Sequence, residues 1–131
     1  MGTCYKGGTD HYHSIAENLP ELKAQYPYKD GYFGTKGDSS SNSKVRHIES
    51  KDPVQTAREF YDKATHGGIE TTIYDKRGND IGQKTSLQDG SIITWRNVSS
   101  SDGTPAVDIN IEKSSNSGGI KQQKIHFVKE K

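Results

Sequence analysis

Three segments in the second half of the chain alternate between apolar and polar residues. They comprise residues 92–98, 106–112 and 124–127. In the middle segment Val107 and Ile109 share one face, whereas Asp108 lies on the opposite face. An alternation with a period of two is typical of a β-strand that has one buried face. A shift of the register by one residue would expose the apolar side chains, so the pattern predicts which residues point towards the core.

Pairing these segments as antiparallel strands predicts a row of polar side chains on one face of the sheet. The row contains Arg96, Asp108, Asn110, Lys124 and His126. The opposite face needs a cover, and a helix near residue 52 is suited to supply it. Asp52 is a suitable N-cap and Pro53 a suitable first helical residue. Gly67 and Gly68 end the helix. Its apolar positions recur at helical spacing, which gives one stripe made of Val54, Ala57, Phe60, Tyr61 and Ala64.

Two further strands are predicted between this helix and the first alternating segment. Residues 69–75 and 80–87 flank a polar turn, and Gly82 is a candidate β-bulge. One helix followed by a run of strands indicates an α+β fold. We therefore expect one main helix packed on a four- to five-stranded antiparallel meander sheet, and we assign this domain to residues 44–131.

The first 43 residues differ in composition from the rest of the chain, being rich in glycine, tyrosine and serine. A short helix is predicted from Ser14 to Tyr26, with Ser14 as its cap, although Pro20 lies inside it. The polar run at residues 38–43 is typical of a flexible linker. Residues 1–43 are therefore predicted to be a loosely ordered N-terminal tether.

The composition indicates a small core and a local excess of positive charge. Hydrophobic residues make up 28% of the 131 residues, and the formal net charge is +1. Residues 113–131 contain five lysines and one glutamate, which gives a net charge of +4. This basic segment suits either phosphate binding or a solvated terminus.

The sequence shows no motif for binding a metal or a cofactor and no segment typical of a membrane span. Cys4 is the single cysteine, so it can form neither a disulfide framework nor a zinc ligand set. No apolar run approaches the length of a membrane span, and the chain does not start with a signal-peptide core. We therefore expect no cofactor, no metal site and no membrane association.

The polar row suggests acid–base chemistry on a phosphate. His126 is the leading candidate because imidazole exchanges protons near neutral pH. Lys124 and Arg96 would bind a phosphate and stabilise the charge of a pentavalent transition state. Asp108 would orient His126 or pair with Arg96. His47, which precedes the predicted helix, would fold over the site as a second acid or base. This set suits RNA cleavage without a metal, in which the 2′-hydroxyl attacks the adjacent phosphorus and leaves a 2′,3′-cyclic phosphate.

Four other residues are candidates for substrate binding. Ser99 and Ser101 belong to a serine-rich loop that offers hydroxyl and amide groups to a phosphate. Asn110 belongs to the polar row, and Lys121 belongs to the basic segment.

Plainer interpretations of the same residues stay open. In the first of these interpretations, His126 is an ordinary surface residue and the serine-rich loop is an ordinary turn. Arg96 and Asp108 would form a cross-strand ion pair without a catalytic role. Asp108 and Glu112 would be metal ligands, although a clear third ligand is missing from the sequence.

The order of these motifs resembles the C-terminal toxin domains of bacterial polymorphic toxins. The matching residues are Asp52-Pro53, Ala57, Phe60-Tyr61, Gly67-Gly68, Gln88-Asp89-Gly90, Arg96, Ser99, Pro105-Ala106-Val107-Asp108-Ile109-Asn110 and Lys124-Ile125-His126-Phe127. Such domains end contact-dependent inhibition proteins and the LXG proteins of Gram-positive bacteria, and many are ribonucleases that act on tRNA. The resemblance covers residues 44–131 and implies a fold like the ribonucleases of the barnase, EndoU, colicin and RelE group.

The resemblance also implies a site, partners and a location. Arg96, Asp108, Lys124 and His126 fall where such toxins carry active-site or phosphate-binding groups. The chain departs from the EndoU pattern of two separated catalytic histidines, because only His47 could be the second. The implied partners are tRNA, a cognate immunity protein and, in some toxins, a translation elongation factor. The domain would be secreted or displayed as part of a larger bacterial toxin and would act in the cytoplasm of the target cell.

Two other classes of function remain as alternatives. One is a non-enzymatic module that binds another protein through its sheet face. The other is a metal-dependent DNase toxin that uses Asp108. Cleavage of RNA in the presence of EDTA separates the ribonuclease hypothesis from both.

Overall fold

The computed structural model describes residues 14–36, 44–96, 104–115 and 117–130. This part of the chain contains two helices and nine strands, which confirms the α+β class. The helices are α1 (Ile15–Gln25) and α2 (Pro53–Ala64). The strands are β1 (Tyr28–Lys29), β2 (Tyr32–Phe33), β3 (Thr35–Lys36), β4 (Val45–Ser50), β5 (Ile69–Tyr74), β6 (Asp80–Ser86), β7 (Ile92–Arg96), β8 (Ala106–Asn110) and β9 (Gln123–Lys129).

Seven of these strands form one sheet in the order β3-β4-β9-β8-β7-β6-β5, and β1 and β2 form a separate hairpin. Strands β5 to β9 are antiparallel neighbours in chain order, as the predicted meander requires. The predicted limit of four to five strands is wrong, because β9 also pairs with β4 in parallel and β3 pairs with β4. Parallel neighbours need a long crossover. The chain between β4 and β9 provides it and includes α2.

Helix α2 begins and ends as its sequence predicts. The Asp52 carboxylate accepts a hydrogen bond from the backbone N–H of Gln55 at 3.3 Å, and Pro53 is the first helical residue. The helix packs on β4, β7, β8 and β9. Its buried apolar residues are Ala57, Phe60, Tyr61 and Ala64. Val54 is 50% exposed, so its predicted place in the core stripe is wrong; it lies in the first turn, before the helix reaches the core.

Helix α1 lies in the region predicted to be a tether, and its apolar face is part of the core. Ile15 and Leu22 are fully buried in one cluster with Phe60 and Phe127. The side-chain amide of Asn18 donates hydrogen bonds to carbonyl oxygens at the end of α2 and just beyond it, at 3.0 Å each. The short helix is confirmed, but the tether prediction needs correction over residues 14–36. Residues 1–13 and 37–43 lie outside the described part.

The β1–β2 hairpin is attached to the same core through Gln123 at the start of β9. The side-chain oxygen of Gln123 accepts a hydrogen bond from the backbone N–H of Phe33 at 2.8 Å. Its side-chain nitrogen donates to the carbonyl oxygens of Gly31 and Lys121 at 2.9 and 2.7 Å. Phe33 is fully buried against Phe60, with ring centroids 5.1 Å apart.

Neither described helix is long and apolar enough to cross a membrane.

Candidate active site on the polar sheet face

The face of the sheet opposite α2, here called the polar face, carries a row that begins with two histidines. His47 on β4 is the parallel register partner of His126 on β9. His126 is in turn opposite Ala106 on β8, and Ala106 is opposite Arg96 on β7. Because register partners point to the same face of a sheet, His47, His126 and Arg96 lie in one row across four strands. The small Ala106 separates the imidazole of His126 from the guanidinium of Arg96.

A second row runs parallel to the first, one pleat away. Asp108 on β8 is opposite Lys124 on β9 and opposite Thr94 on β7. Lys124 lies two residues before His126, and Asp108 lies two residues after Ala106, so both share the face of the histidines. Four residues of the predicted catalytic set therefore share this face with His47.

His47 does not fold over the site from a loop, as the sequence suggested. It is a strand residue inside the sheet, and its ring centroid lies 5.8 Å from that of His126, with the ring planes at 78°. The two imidazoles therefore meet edge to face. A general base and a general acid that act on one phosphate need to lie close together, and the two imidazoles meet that requirement.

The ring of His126 is held in place by Thr104. The hydroxyl oxygen of Thr104 and Nδ1 of His126 form a hydrogen bond of 3.0 Å. His126 is 4% exposed, so its imidazole has little room to rotate. Such a bond fixes the orientation of the ring and favours one tautomer. Thr104 was not predicted as a site residue, because no sequence pattern indicates that a loop threonine before a proline contacts His126.

Asp108 places a carboxyl group among these cations. Burial raises the pKa of Asp108 above its ordinary value, and the positive charges of Lys124, Arg96 and His126 act in the opposite direction. The described residues show no direct ion pair between Arg96 and Asp108. The positive charge of Arg96 still lowers the pKa of Asp108 through space. The alternative interpretation of a simple cross-strand ion pair therefore lacks the close contact that it requires.

Arg96 has unused hydrogen-bonding capacity. Its Nε atom is buried and has no hydrogen-bond partner among the described residues. A buried N–H without a partner is unfavourable by about 1–3 kcal/mol, and more when the group is charged. A bound anion on the polar face would supply that partner, which makes Arg96 a candidate for phosphate binding.

The predicted substrate-binding residues are less well placed. Asn110 is exposed at the end of β8, where its side-chain oxygen accepts from the backbone N–H of Glu112 at 3.0 Å. Lys121 precedes β9, and its Nζ lies over the ring of Tyr32 at 5.5 Å. Ser99 and Ser101 lie outside the described residues.

Two cavities include residues of the polar face in their lining. A smaller one of about 260 Å³ lies beside Asp108 and Lys124. A larger one of about 620 Å³ reaches His47 from the outer edge of β4. Among the described residues, no group of three or more histidine, cysteine, aspartate or glutamate side chains is arranged to hold a metal ion.

Searches against protein-family profiles, curated proteins and solved structures find no match to this chain. Its function must therefore be inferred from the site itself. Among the described residues, the site combines two histidines, Arg96, Lys124 and the carboxyl group of Asp108 on one face of the sheet.

Proposed function

We propose that the chain is an endoribonuclease toxin domain that cleaves RNA, with tRNA as its substrate, by attack of the 2′-hydroxyl and without a metal. The observation that carries the proposal is the pair of imidazoles 5.8 Å apart, on adjacent strands, beside Arg96 and Lys124. A metal-free transesterification needs two proton-transfer groups on opposite sides of one phosphorus atom, together with cations for the developing charge.

The chemistry divides among the side chains as follows. One imidazole removes the proton of the 2′-hydroxyl, and the other gives a proton to the departing 5′-oxygen. Arg96 and Lys124 bind the non-bridging oxygens, where negative charge grows in the transition state. Asp108 offsets part of the positive charge of Lys124 and Arg96, which act on its carboxyl group through space.

The biological setting follows from the resemblance of residues 44–131 to polymorphic toxin domains. The domain is delivered to a target bacterium as part of a larger secreted or cell-surface protein and acts in the target cytoplasm. The producing cell is protected by a cognate immunity protein that blocks the site. Residues 113–131 carry a net charge of +4, which favours an acidic immunity surface. A translation elongation factor is a further candidate partner.

The test compares RNA from bacteria that express the wild-type chain with RNA from bacteria that express His126→Ala or His47→Ala. The matched control is His66→Ala, since His66 is exposed just after α2 and away from the polar face. A purified enzyme assay on tRNA with EDTA accompanies the expression experiment. We expect discrete tRNA fragments with 2′,3′-cyclic phosphate ends for the wild type and for His66→Ala.

Loss of those fragments in both site variants supports the proposal, because removing an acid–base group typically lowers the rate by about 10²–10⁴-fold. Intact RNA and normal growth with the wild-type chain contradict it and favour a protein-binding role for the polar face. Cleavage of DNA that stops in EDTA favours the metal-dependent DNase.

A further inference from the structure

Strand β5 lies at one end of the seven-stranded sheet and has an open outer edge. In the described part of the chain it pairs with β6 alone. It is six residues long and contains no lysine, arginine or proline, the residues that commonly protect an edge strand. Strand β3, at the opposite end of the sheet, has only two residues. Of the two edges, that of β5 therefore offers the longer template for pairing with another strand.

The backbone groups of Thr72 and Tyr74 point towards this open edge. Asp75, which directly follows β5, donates its backbone N–H to the carbonyl oxygen of Asn79, just before β6, at 3.0 Å. Successive residues of a strand direct their backbone groups to alternate edges. The odd-numbered residues of β5 therefore bond towards β6, and the even-numbered residues direct their N–H and C=O groups outwards.

Both ends of β5 also carry exposed apolar side chains. The described residues expose three large apolar side chains, and two of them are Ile69, which is 41% exposed, and Tyr74, which is 64% exposed. Ile73 is opposite Gly82, which is opposite Arg96, so the odd-numbered residues of β5 lie on the polar face. Exposed apolar side chains on an open edge strand indicate a surface that pairs with another chain.

We propose that β5 pairs antiparallel with β5 of a second copy of the chain, about a two-fold axis at Thr71. Such an axis is perpendicular to the sheet, so each residue opposes one of the same parity. Ile69 then opposes Ile73 of the second copy. Tyr74 opposes Gly68, whose lack of a side chain leaves room for an aromatic ring. This register covers both exposed apolar side chains, and the same surface serves both copies.

The neighbouring two-fold registers are less favourable. With the axis at Thr72, Ile69 would oppose Asp75 and Tyr74 would oppose Glu70, so that apolar side chains would meet carboxylates. With the axis at Glu70, the two Glu70 carboxylates would oppose each other, which is destabilising. With the axis at Thr71, Glu70 opposes the neutral Thr72.

The proposed dimer leaves the polar face accessible. Because the axis is perpendicular to the sheet, the polar faces of the two copies point to the same side. His126 lies on β9, four strands away from β5, so the interface does not cover it. The interface of two six-residue strands is small, and we expect a weak, reversible dimer. The inference therefore stands or falls separately from the proposed function.

The first experiment measures the dimer dissociation constant by sedimentation equilibrium for wild type, Thr72→Pro and Thr72→Ala. Proline lacks the outward N–H and is tolerated on edge strands, whereas alanine keeps that N–H. Urea unfolding followed by Trp95 fluorescence checks that each variant is folded. The expected dissociation constant rises by about tenfold or more for Thr72→Pro, because the symmetric pair loses two donors. Thr72→Ala should dimerise like the wild type.

The second experiment tests the register with Thr71→Cys and the control Thr72→Cys, each in a Cys4→Ser background. Residue 71 would oppose itself as a non-hydrogen-bonded pair with Cα atoms about 4.5 Å apart, within the range that a disulfide spans. With oxidised glutathione we expect a covalent dimer for Thr71→Cys and much less for Thr72→Cys.

Three results would each overturn the inference. The first is a wild-type chain that stays monomeric at every concentration. The second is a dimer whose dissociation constant is the same for folded Thr72→Pro and Thr72→Ala. The third is equal cross-linking of Thr71→Cys and Thr72→Cys, which decides the question even if Thr72→Pro does not fold.

Discussion

Leu22→Ala tests whether α1 belongs to the folded core, which is the largest difference between the structure and the prediction of an N-terminal tether. Leu22 is fully buried among Ile15, Phe60 and other core residues. If residues 14–36 were a tether, truncating this side chain would leave stability unchanged. If α1 is part of the core, the truncation removes three buried carbon atoms and leaves a cavity.

The expected loss follows from that burial. Truncation of a buried leucine to alanine lowers the free energy of unfolding by about 2–5 kcal/mol. A domain of this size has a total stability of about 5–15 kcal/mol. With a urea dependence of about 1–3 kcal/mol per molar, the unfolding midpoint should fall by about 1–2 M.

The assay uses the single tryptophan of the chain. Trp95 is partly buried and packs against the core, so its fluorescence reports on global unfolding in urea. Val54→Ala is the control, because Val54 is apolar, helical and 50% exposed. A midpoint for Leu22→Ala that is no lower than that of Val54→Ala would refute the placement of α1 in the core.

Three other predictions concern the site and the sheet. Thr104→Val should lower kcat of the RNA-cleavage assay by up to about tenfold, the equivalent of one lost hydrogen bond to His126, and Thr104→Ser should restore it. Burial raises the pKa of Asp108 in the folded state, so the folded protein binds this proton more tightly than the unfolded chain does. The resulting stabilisation is full below the pKa of an ordinary aspartate and is lost as the pH rises through the pKa of Asp108 in the folded state. Asp108→Asn should therefore unfold at higher urea than wild type at neutral pH, match it below about pH 3, and lose activity; equal midpoints at neutral pH would contradict this. Gly82→Ala should lower stability by about 1–3 kcal/mol in thermal melts, because φ is +153° and an added Cβ would clash with the carbonyl oxygen of Trp95; an unchanged melting temperature would count against that contact.

The alternation of the second half of the chain is sufficient to predict the polar face. Strands β7, β8 and β9 each have one buried side, so hydropathy alone assigns Ile109 and Ile125 to the core and Asp108 and Lys124 to the opposite face. The alternation alone therefore assigns these site residues to the polar face. Which of them lie in the same row depends on the register between neighbouring strands, and their hydropathy does not specify it.

Strand β4 is not predicted from the sequence because the hydropathy of its first two residues is inverted. Val45 points to the polar face, whereas Arg46 points to the side of the core. Arg46 is accommodated there because its guanidinium donates to the carbonyl oxygens of Phe33 and Gly34 and lies over the ring of Tyr32. These partners lie more than ten residues away in the sequence, so no local sequence pattern predicts the contacts. The burial of helix α1 escapes for a related reason, since it depends on contacts with α2.

The central position of β9 determines when the sheet can be completed. On the ribosome, β3 and β4 are made first and β5 to β8 later, and the two groups of strands are joined only when β9 enters between β4 and β8. His47 and His126 come from different sides of that junction. A chain synthesised only as far as β8 lacks His126 and therefore cannot carry the complete pair. Central insertion also closes a long loop late, so slow folding is expected to accompany this delay.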